Sequence, residues 1–159
     1  MELSVERILN KIQDATQLYY RLIFLVAPSG SGKTALLQAV HHRINAPMVN
    51  VNLELSRLML DLNERQRILQ MPRLLGDILN KSLADVVLLD NIEILFDVSL
   101  KQDPLRLLQG ISRNKTIVSS FNGTVDAEHL VYATPDHPEY KRYPLRDLLM
   151  VCLDTVHQN

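Results

Sequence analysis

The sequence predicts an α/β fold in one domain, with a parallel β-sheet flanked by helices. Short apolar runs alternate with helical patterns, a glycine-rich turn joins the first run to a helix, and the chain has 159 residues. Chains of about 100–200 residues usually form one domain, and strands alternating with helices favour a parallel sheet. We predict one domain over 1–159, with a leading helix at 1–20, a core at 21–134 and a C-terminal loop and helix at 135–159.

The composition disfavours several classes of protein. Hydrophobic residues make up 47% and charged residues 22%, which is typical of a globular protein rather than a disordered chain or coiled coil. Few aromatic residues and a net charge of −1 give no general base-stacking surface and no overall attraction to DNA or anionic lipid. The single cysteine, Cys152, favours a reducing compartment. Because no secretory pattern or long apolar run is present, we expect a cytoplasmic protein without a membrane partner.

Strands are predicted from short apolar runs bounded by turn residues. A run without polar interruption is typical of a strand covered on both faces, and strict alternation also indicates a strand. The predicted strands are residues 21–27, 48–55, 85–89, 115–120 and 129–134.

Helices are predicted where apolar residues recur every three or four positions. The predicted helices are residues 4–19, 33–43, two pieces within 57–82, 104–111 and 145–156. Pro72 is expected to end or kink the first piece within 57–82, because proline has no backbone N–H to donate. Three prolines predict an irregular loop over 135–144.

The turn after the first strand carries the strongest functional signal. Residues 27–34 read APSGSGKT, the phosphate-binding (Walker A) pattern G-x-x-x-x-G-K-[ST] with alanine in place of the first glycine. Glycines allow successive backbone N–H groups to wrap a phosphate at the start of a helix. Lys33 is expected to bridge the β- and γ-phosphates, and Thr34 to ligate Mg²⁺. The predicted nucleotide-binding residues are Pro28, Ser29, Gly30, Ser31, Gly32, Lys33 and Thr34.

A P-loop protein also needs a carboxylate near the metal, at the end of a neighbouring buried strand. Asp90 follows the apolar run VVLL, so Thr34 and Asp90 are the predicted metal residues. The alternative is that Asp90 is only a turn residue at a strand end. Residues 114–117 read NKTI and lack the aspartate of the guanine-specific N-K-x-D motif, so ATP is the predicted nucleotide.

Hydrolysis of ATP requires a group that activates water. Many P-loop ATPases carry glutamate directly after the strand aspartate, but here that residue is Asn91, which can orient water and cannot accept a proton. Glu93 and Glu54 are the candidate general bases, with a helix cap or a surface salt bridge as the alternative role of each. We therefore predict weak or partner-dependent hydrolysis, with Asp90, Asn91 and Glu93 in the catalytic group.

Polar residues also end the fourth predicted strand, and ligands bind at the carboxyl ends of strands in open α/β sheets. Asn122 completes the predicted catalytic group as a contact to the γ-phosphate. It resembles the polar sensor of AAA-type ATPases, although an asparagine before Gly123 is also typical of a turn. In that family the added strand lies between the phosphate-loop strand and the aspartate strand. The resemblance implies the sheet order 5-1-4-3-2, and too few residues follow the fifth predicted strand for a helical lid.

More of the chain resembles a narrower family. VNVNLELS at 49–56, NERQR at 63–67 and LDNIEILF at 89–96 resemble the small P-loop proteins (BrxF family) of type 3 BREX, the bacteriophage exclusion systems. The resemblance implies an antiphage defence subunit that acts beside a large ATPase, a methyltransferase and a helicase.

Two other functions and several surface roles stay open. A small-molecule or nucleoside kinase also fits the length and the phosphate loop, and a scaffold could retain the loop only for folding. Against a kinase, we expect the fourth strand to separate the loop strand from the Asp90 strand. Arg113, Arg142 and Arg146 are either arginine-finger candidates or surface residues. A homo-oligomer and local DNA contact are left open.

Overall fold

A computed structural model of the chain describes residues 1–153. The strands are β1 (Leu22–Ala27), β2 (Met48–Asn50), β3 (Val86–Asp90), β4 (Thr116–Asn122), β5 (Thr124–Asp126), β6 (His129–Tyr132), β7 (Lys141–Pro144) and β8 (Leu149–Cys152). The α-helices are α1 (Glu2–Ala15), α2 (Lys33–Ile44), α3 (Val51–Met59), α4 (Glu64–Leu79) and α5 (Pro104–Ile111). Two 3-10 turns, Glu93–Phe96 and Val98–Leu100, follow β3.

The predicted α/β architecture and sheet order are confirmed. A five-stranded parallel sheet has the order β2-β3-β4-β1-β8, which is the expected 5-1-4-3-2 when β8 is counted as the fifth strand. As expected, β4 lies between β1 and β3. The carboxyl ends of these three strands therefore lie side by side at one edge of the sheet.

Alternating side chains of the sheet build two apolar cores. On one face, Ile23 and Leu25 of β1 pack with residues of α1 and α2. On the other face, Phe24 and Val26 pack with residues of α3, α4 and α5. Every residue of β1 is buried, because helices cover both faces of the sheet.

The fifth strand was predicted in the wrong segment. β6 covers most of 129–134 but pairs antiparallel with β5 and β7 in a separate three-stranded sheet, hereafter the meander (residues 124–144). The parallel sheet is instead completed by β8, inside the predicted helix 145–156. A short apolar run fits either structure, and the open edge of β1 selects the strand. Residues 154–156 of the predicted helix lie outside the described residues.

The second strand is shorter than predicted, because a helix begins within 48–55. β2 ends at Asn50, whose side chain accepts a hydrogen bond from the Leu53 backbone N–H at 3.1 Å and caps α3. Val51 and Leu55 are both buried, one helical turn apart. The alternation of apolar residues therefore belongs to the first turns of a helix, and Glu54 lies on α3 rather than on a strand.

Pro72 does not end a helix, contrary to the first of the two predicted effects. α4 runs through it, and the break between α3 and α4 lies at residues 60–63, where Asn63 and Gln66 form a capping box. Proline leaves the carbonyl four residues earlier, that of Ile68, without its helical donor. Gln102 supplies a replacement, since its Nε2 donates to the Ile68 carbonyl at 2.9 Å.

The other predicted elements agree with the structure within a few residues, and α5 agrees at both ends. The irregular loop predicted over 135–144 is wrong at its end, where residues 141–144 form β7, and β5 was not predicted. A proline is tolerated in β7 because Pro144 is the last residue of an edge strand. From β4 to residue 153 the described chain contains strands and turns and no helix. Among the described residues no helix is long and apolar enough to cross a membrane.

Candidate functional site

The phosphate-binding loop joins β1 to α2. Gly30 and Gly32 have φ angles of +78° and +88°, in the left-handed region where a side chain would be strained. Gly32 immediately precedes α2, which begins at Lys33. Because the first backbone N–H groups of a helix have no partner within the helix, this end of α2 suits a bound anion.

Lys33 is nearly buried and points back into the loop. The residue is 7% exposed, and Nζ donates to the carbonyls of Ala27 at 3.0 Å and Pro28 at 2.8 Å. Burial lowers the pKa of Lys33, and the charges of Glu93 and Asp90 partly oppose this shift. The ammonium group is therefore held at the loop, with two carboxylates nearby.

Asp90 ends β3 and meets the start of α2. The Thr34 hydroxyl donates to Asp90 Oδ2 at 2.6 Å, and the Asn91 backbone N–H donates to Asp90 Oδ1 at 3.0 Å. Asn91 has a φ angle of +52°, a left-handed conformation that asparagine tolerates better than most residues. The turn after β3 therefore keeps the buried Asp90 carboxylate beside the loop.

Two asparagine side chains hold the Glu93 carboxylate. Asn52 Nδ2 donates to Oε2 at 3.1 Å, and Asn122 Nδ2 donates to Oε1. Asn52 Oδ1 also accepts from the Ile94 backbone N–H at 2.8 Å, which fixes the 3-10 turn after β3. The ends of β3 and β4 and the first turn of α3 thus meet at Glu93.

These groups line a cleft of about 730 Å³, hereafter the phosphate cleft. Of the predicted residues, those that line it are Ser29, Gly30, Gly32, Lys33, Thr34, Asp90, Asn91, Glu93 and Asn122. Pro28 lines a neighbouring cleft, and Ser31 lines neither of the two. A volume of several hundred Å³ is typical of small-molecule sites.

The other candidates lie elsewhere. Glu54 Oε2 lies 4.0 Å from Lys81 Nζ, and Glu54 does not line the phosphate cleft. Of the roles considered for Glu54, which were general base, helix cap and surface salt bridge, the structure shows the salt bridge. The Arg113 guanidinium lies 4.5 Å from the centre of the Tyr19 ring. Arg142 is on β7, and Arg146 is 3.9 Å from Asp147.

Asn52 and Gln38 also line the cleft, and sequence reasoning did not select them. Asn52 was assigned to a strand, which hid its position in the first turn of α3. Gln38 lies four residues after Thr34 on α2, and this helical spacing was the available signal.

Oxygen ligands are the kind that Mg²⁺ prefers. The Thr34 hydroxyl and the Asp90 carboxylate supply two such oxygens at the edge of the phosphate cleft, 2.6 Å apart. The donor set therefore fits magnesium carried in with nucleotide phosphates. Among residues 1–153, no group of three or more His, Cys, Asp or Glu side chains is placed to hold a metal ion by itself.

No curated protein sequence matches the chain. Among solved structures, that of C. elegans PCH-2 matches with a TM-score of 0.43 and 21% sequence identity, over 77% of this chain. The match spans 37% of the PCH-2 chain.

The family model described as "ATPase family associated with various cellular activities (AAA)" matches residues 23–121. This range covers more than half of the chain, from Ile23 in β1 through the phosphate-binding loop to Phe121 in β4. The resemblance drawn from Asn122 and the strand order is thereby confirmed at the family level: the chain belongs to the AAA family of ATPases.

Proposed function

We propose that this chain binds Mg-ATP in the phosphate cleft and hydrolyses it slowly unless a partner rearranges the surroundings of Glu93. The observation that carries the proposal is the convergence of Lys33, Thr34, Asp90 and Glu93 on one cleft at the carboxyl edge of the sheet. An ammonium group, two metal-binding oxygens and a carboxylate are the groups that phosphoryl transfer requires.

Lys33 supports binding of the triphosphate. Its Nζ donates to two loop carbonyls, and phosphate oxygens can replace these acceptors without moving the lysine away from the loop. The N-terminal turn of α2 adds backbone N–H donors and the positive end of the helix dipole. Ser29 and Gly30 line the same wall of the cleft.

Thr34 and Asp90 would hold magnesium beside the phosphates. Bound magnesium offsets the negative charge that the phosphate oxygens carry during transfer. The backbone N–H of Asn91 keeps Asp90 Oδ1 in place, so Oδ2 is the oxygen that faces Thr34.

Glu93 is the described carboxylate best placed to accept a proton from water. Glu54 does not line the cleft, and Asn91 cannot act as a base. Both oxygens of Glu93 are engaged by amide donors, so an attacking water competes with Asn52 or Asn122 for the carboxylate. This arrangement supports slow hydrolysis by the isolated chain and faster hydrolysis once a partner displaces an amide.

Three variants test the proposal. Lys33→Ala should weaken ATP binding in calorimetry by more than about tenfold, because charged hydrogen bonds to phosphate contribute about 1.5–3 kcal/mol. Glu93→Gln should keep ATP affinity and lower phosphate release by about 10²-fold or more. Glu54→Gln, a carboxylate outside the cleft, is the matched control and should match the wild type. Wild-type affinity in Lys33→Ala would exclude the binding site, and wild-type turnover in Glu93→Gln would exclude Glu93 as the base.

We further propose that the chain acts as a subunit of a BREX antiphage defence complex. The support is the resemblance of residues 49–56, 63–67 and 89–96 to the BrxF family. Co-expression with the large ATPase, methyltransferase and helicase of such a system should give a complex that co-purifies with this chain. Phage plating on cells that carry the system with Lys33→Ala should then rise toward the level without the system. Full protection by this variant, when it is expressed at wild-type level, would contradict a nucleotide-dependent role.

A further inference from the structure

A second cleft lies between the phosphate-binding loop and the meander. It has a volume of about 470 Å³ and is called the meander cleft below. Ser29 and Asn122 line both clefts. Tyr132, His137 and Glu139 line the meander cleft and not the phosphate cleft. It is therefore a separate opening next to the nucleotide site. Apart from Pro28 and Ser29, its lining residues follow the range that the AAA family model covers.

The meander cleft contains negative charge without a matching cation. Among its described lining residues Glu139 is the one carboxylate, and no lysine or arginine is present. No salt bridge joins Glu139 to a cation within residues 1–153. Glu139 is half-buried, and a partly desolvated carboxylate is stabilised by a positively charged donor.

His137 lies in the same cleft but does not pair with the Glu139 carboxylate. Its Nδ1 accepts a hydrogen bond from the Glu139 backbone N–H at 3.0 Å. This contact occupies Nδ1 with the backbone, and among the described residues no hydrogen bond or ion pair joins the His137 ring to the Glu139 carboxylate. The charge of Glu139 is therefore open to a ligand.

Tyr132 forms the buried wall of the cleft. The residue is 7% exposed, and its ring stacks on Phe96 with 3.7 Å between ring centroids. Burial, with the charges of Glu139 and Glu93 acting in the same direction, raises the pKa of the Tyr132 hydroxyl to about 12. The same two carboxylates favour a positively charged group at this position.

We propose that the meander cleft binds an alkylammonium or alkylguanidinium group, with Glu139 as its counterion. The lining offers a hydrophobic wall from Tyr132 and Val131 for the alkyl part and a carboxylate for the charged end. An anionic ligand would lie against Glu139 with no cation to offset it. The group could belong to a free amine or to an arginine or lysine side chain of another protein; the recognition chemistry is the same.

Calorimetric titration of the full chain, without nucleotide, tests the proposal with two probes. Agmatine represents a free amine, and the capped tripeptide acetyl-Ala-Arg-Ala-amide represents a protein side chain. Glu139→Gln should weaken binding of the tighter probe by about tenfold, the factor that corresponds to about 1.4 kcal/mol for a charge-assisted contact. Glu128→Gln removes an exposed carboxylate of the same meander outside the cleft and should bind like the wild type.

The two probes distinguish a free amine from a protein side chain, and the result does not depend on the nucleotide site. Tighter binding of agmatine identifies a free amine, and equal or tighter binding of the tripeptide identifies a side chain. The probes are titrated without nucleotide and ATP binding is measured separately, so failure of ATP binding and failure of this site are distinguishable. The proposal is overturned if neither probe saturates by about 10 mM, a free energy weaker than about 3 kcal/mol. It is also overturned if folded Glu139→Gln, checked by its melting curve, binds as tightly as the wild type.

Discussion

Replacing Gly123 by alanine should destabilise the protein through one steric clash. Gly123 follows β4 and lines the meander cleft, and its backbone N–H donates to the Ala27 carbonyl at 3.1 Å. An added Cβ would overlap the Val131 carbonyl oxygen and lie 2.6 Å from Cε1 of Phe121. Neither neighbour moves easily, because Val131 pairs with Thr124 in the meander and Phe121 is buried in the core.

The expected cost of this clash lies at the upper end for overpacking, about 3 kcal/mol of unfolding free energy. For a chain of this size the melting temperature should fall by about 6–12 °C, which a circular-dichroism melt resolves. ATP binding should weaken as well, since the displaced Gly123 N–H is bonded to the first residue of the phosphate-loop pattern.

Gly76→Ala is the matched control for this substitution. Gly76 lies inside α4, and an added Cβ there has no atom within 4 Å. The better helix propensity of alanine should stabilise this variant by about 0.5–1 kcal/mol. The packing argument is refuted if Gly123→Ala melts at or above the wild type while Gly76→Ala shows its expected gain.

Three further predictions concern single side chains. Asn52→Ala should raise phosphate release several-fold at unchanged ATP affinity, because it frees one carboxylate oxygen of Glu93. A lower rate at unchanged affinity would mean that Asn52 positions Glu93 for catalysis rather than occupying its oxygen. Gln102→Ala should cost about 1–2 kcal/mol in urea unfolding, because it leaves the Ile68 carbonyl beside Pro72 without its donor; an unchanged midpoint would contradict this. The Tyr132 phenol has a pKa of about 12 in the folded chain, so it stays neutral at pH values where the unfolded chain ionises. The free energy of unfolding should therefore fall by about 1–2 kcal/mol between about pH 9 and 11, and by less in Tyr132→Phe. An equal fall in the two proteins would exclude the raised pKa.

The phosphate-binding loop could be predicted because its chemistry is local. Gly30 and Gly32 adopt the left-handed conformations that the pattern requires, and Lys33 begins the helix that the pattern precedes. Asp90 could be predicted for a related reason, since an apolar run followed by aspartate marks the end of a buried parallel strand. Neither inference depends on which distant segment packs nearby.

The errors occurred where tertiary contacts decide between two local structures. Residues 149–152 read LMVC, which suits a helix or a strand equally, and β1 with an open edge selects the strand. The alternation of apolar and polar residues at 48–55 is typical of a strand, but the Asn50 side chain caps a helix that begins at the next residue. Pro72 is tolerated because Gln102, thirty-four positions beyond Ile68, supplies a donor for the carbonyl that proline leaves free.

The position of Glu93 illustrates how a site can keep its chemistry when a motif shifts. Glutamate stands three residues after Asp90, and a chain that continued as a strand would carry it away from the loop. Asn91 instead turns the backbone at a φ angle of +52°, and the 3-10 turn Glu93–Phe96 brings the side chain back into the phosphate cleft. Phe96, the last residue of that turn, stacks on Tyr132 of the meander. The carboxylate is therefore held by amide donors from α3 and β4, while the turn that carries it packs against the meander through Phe96.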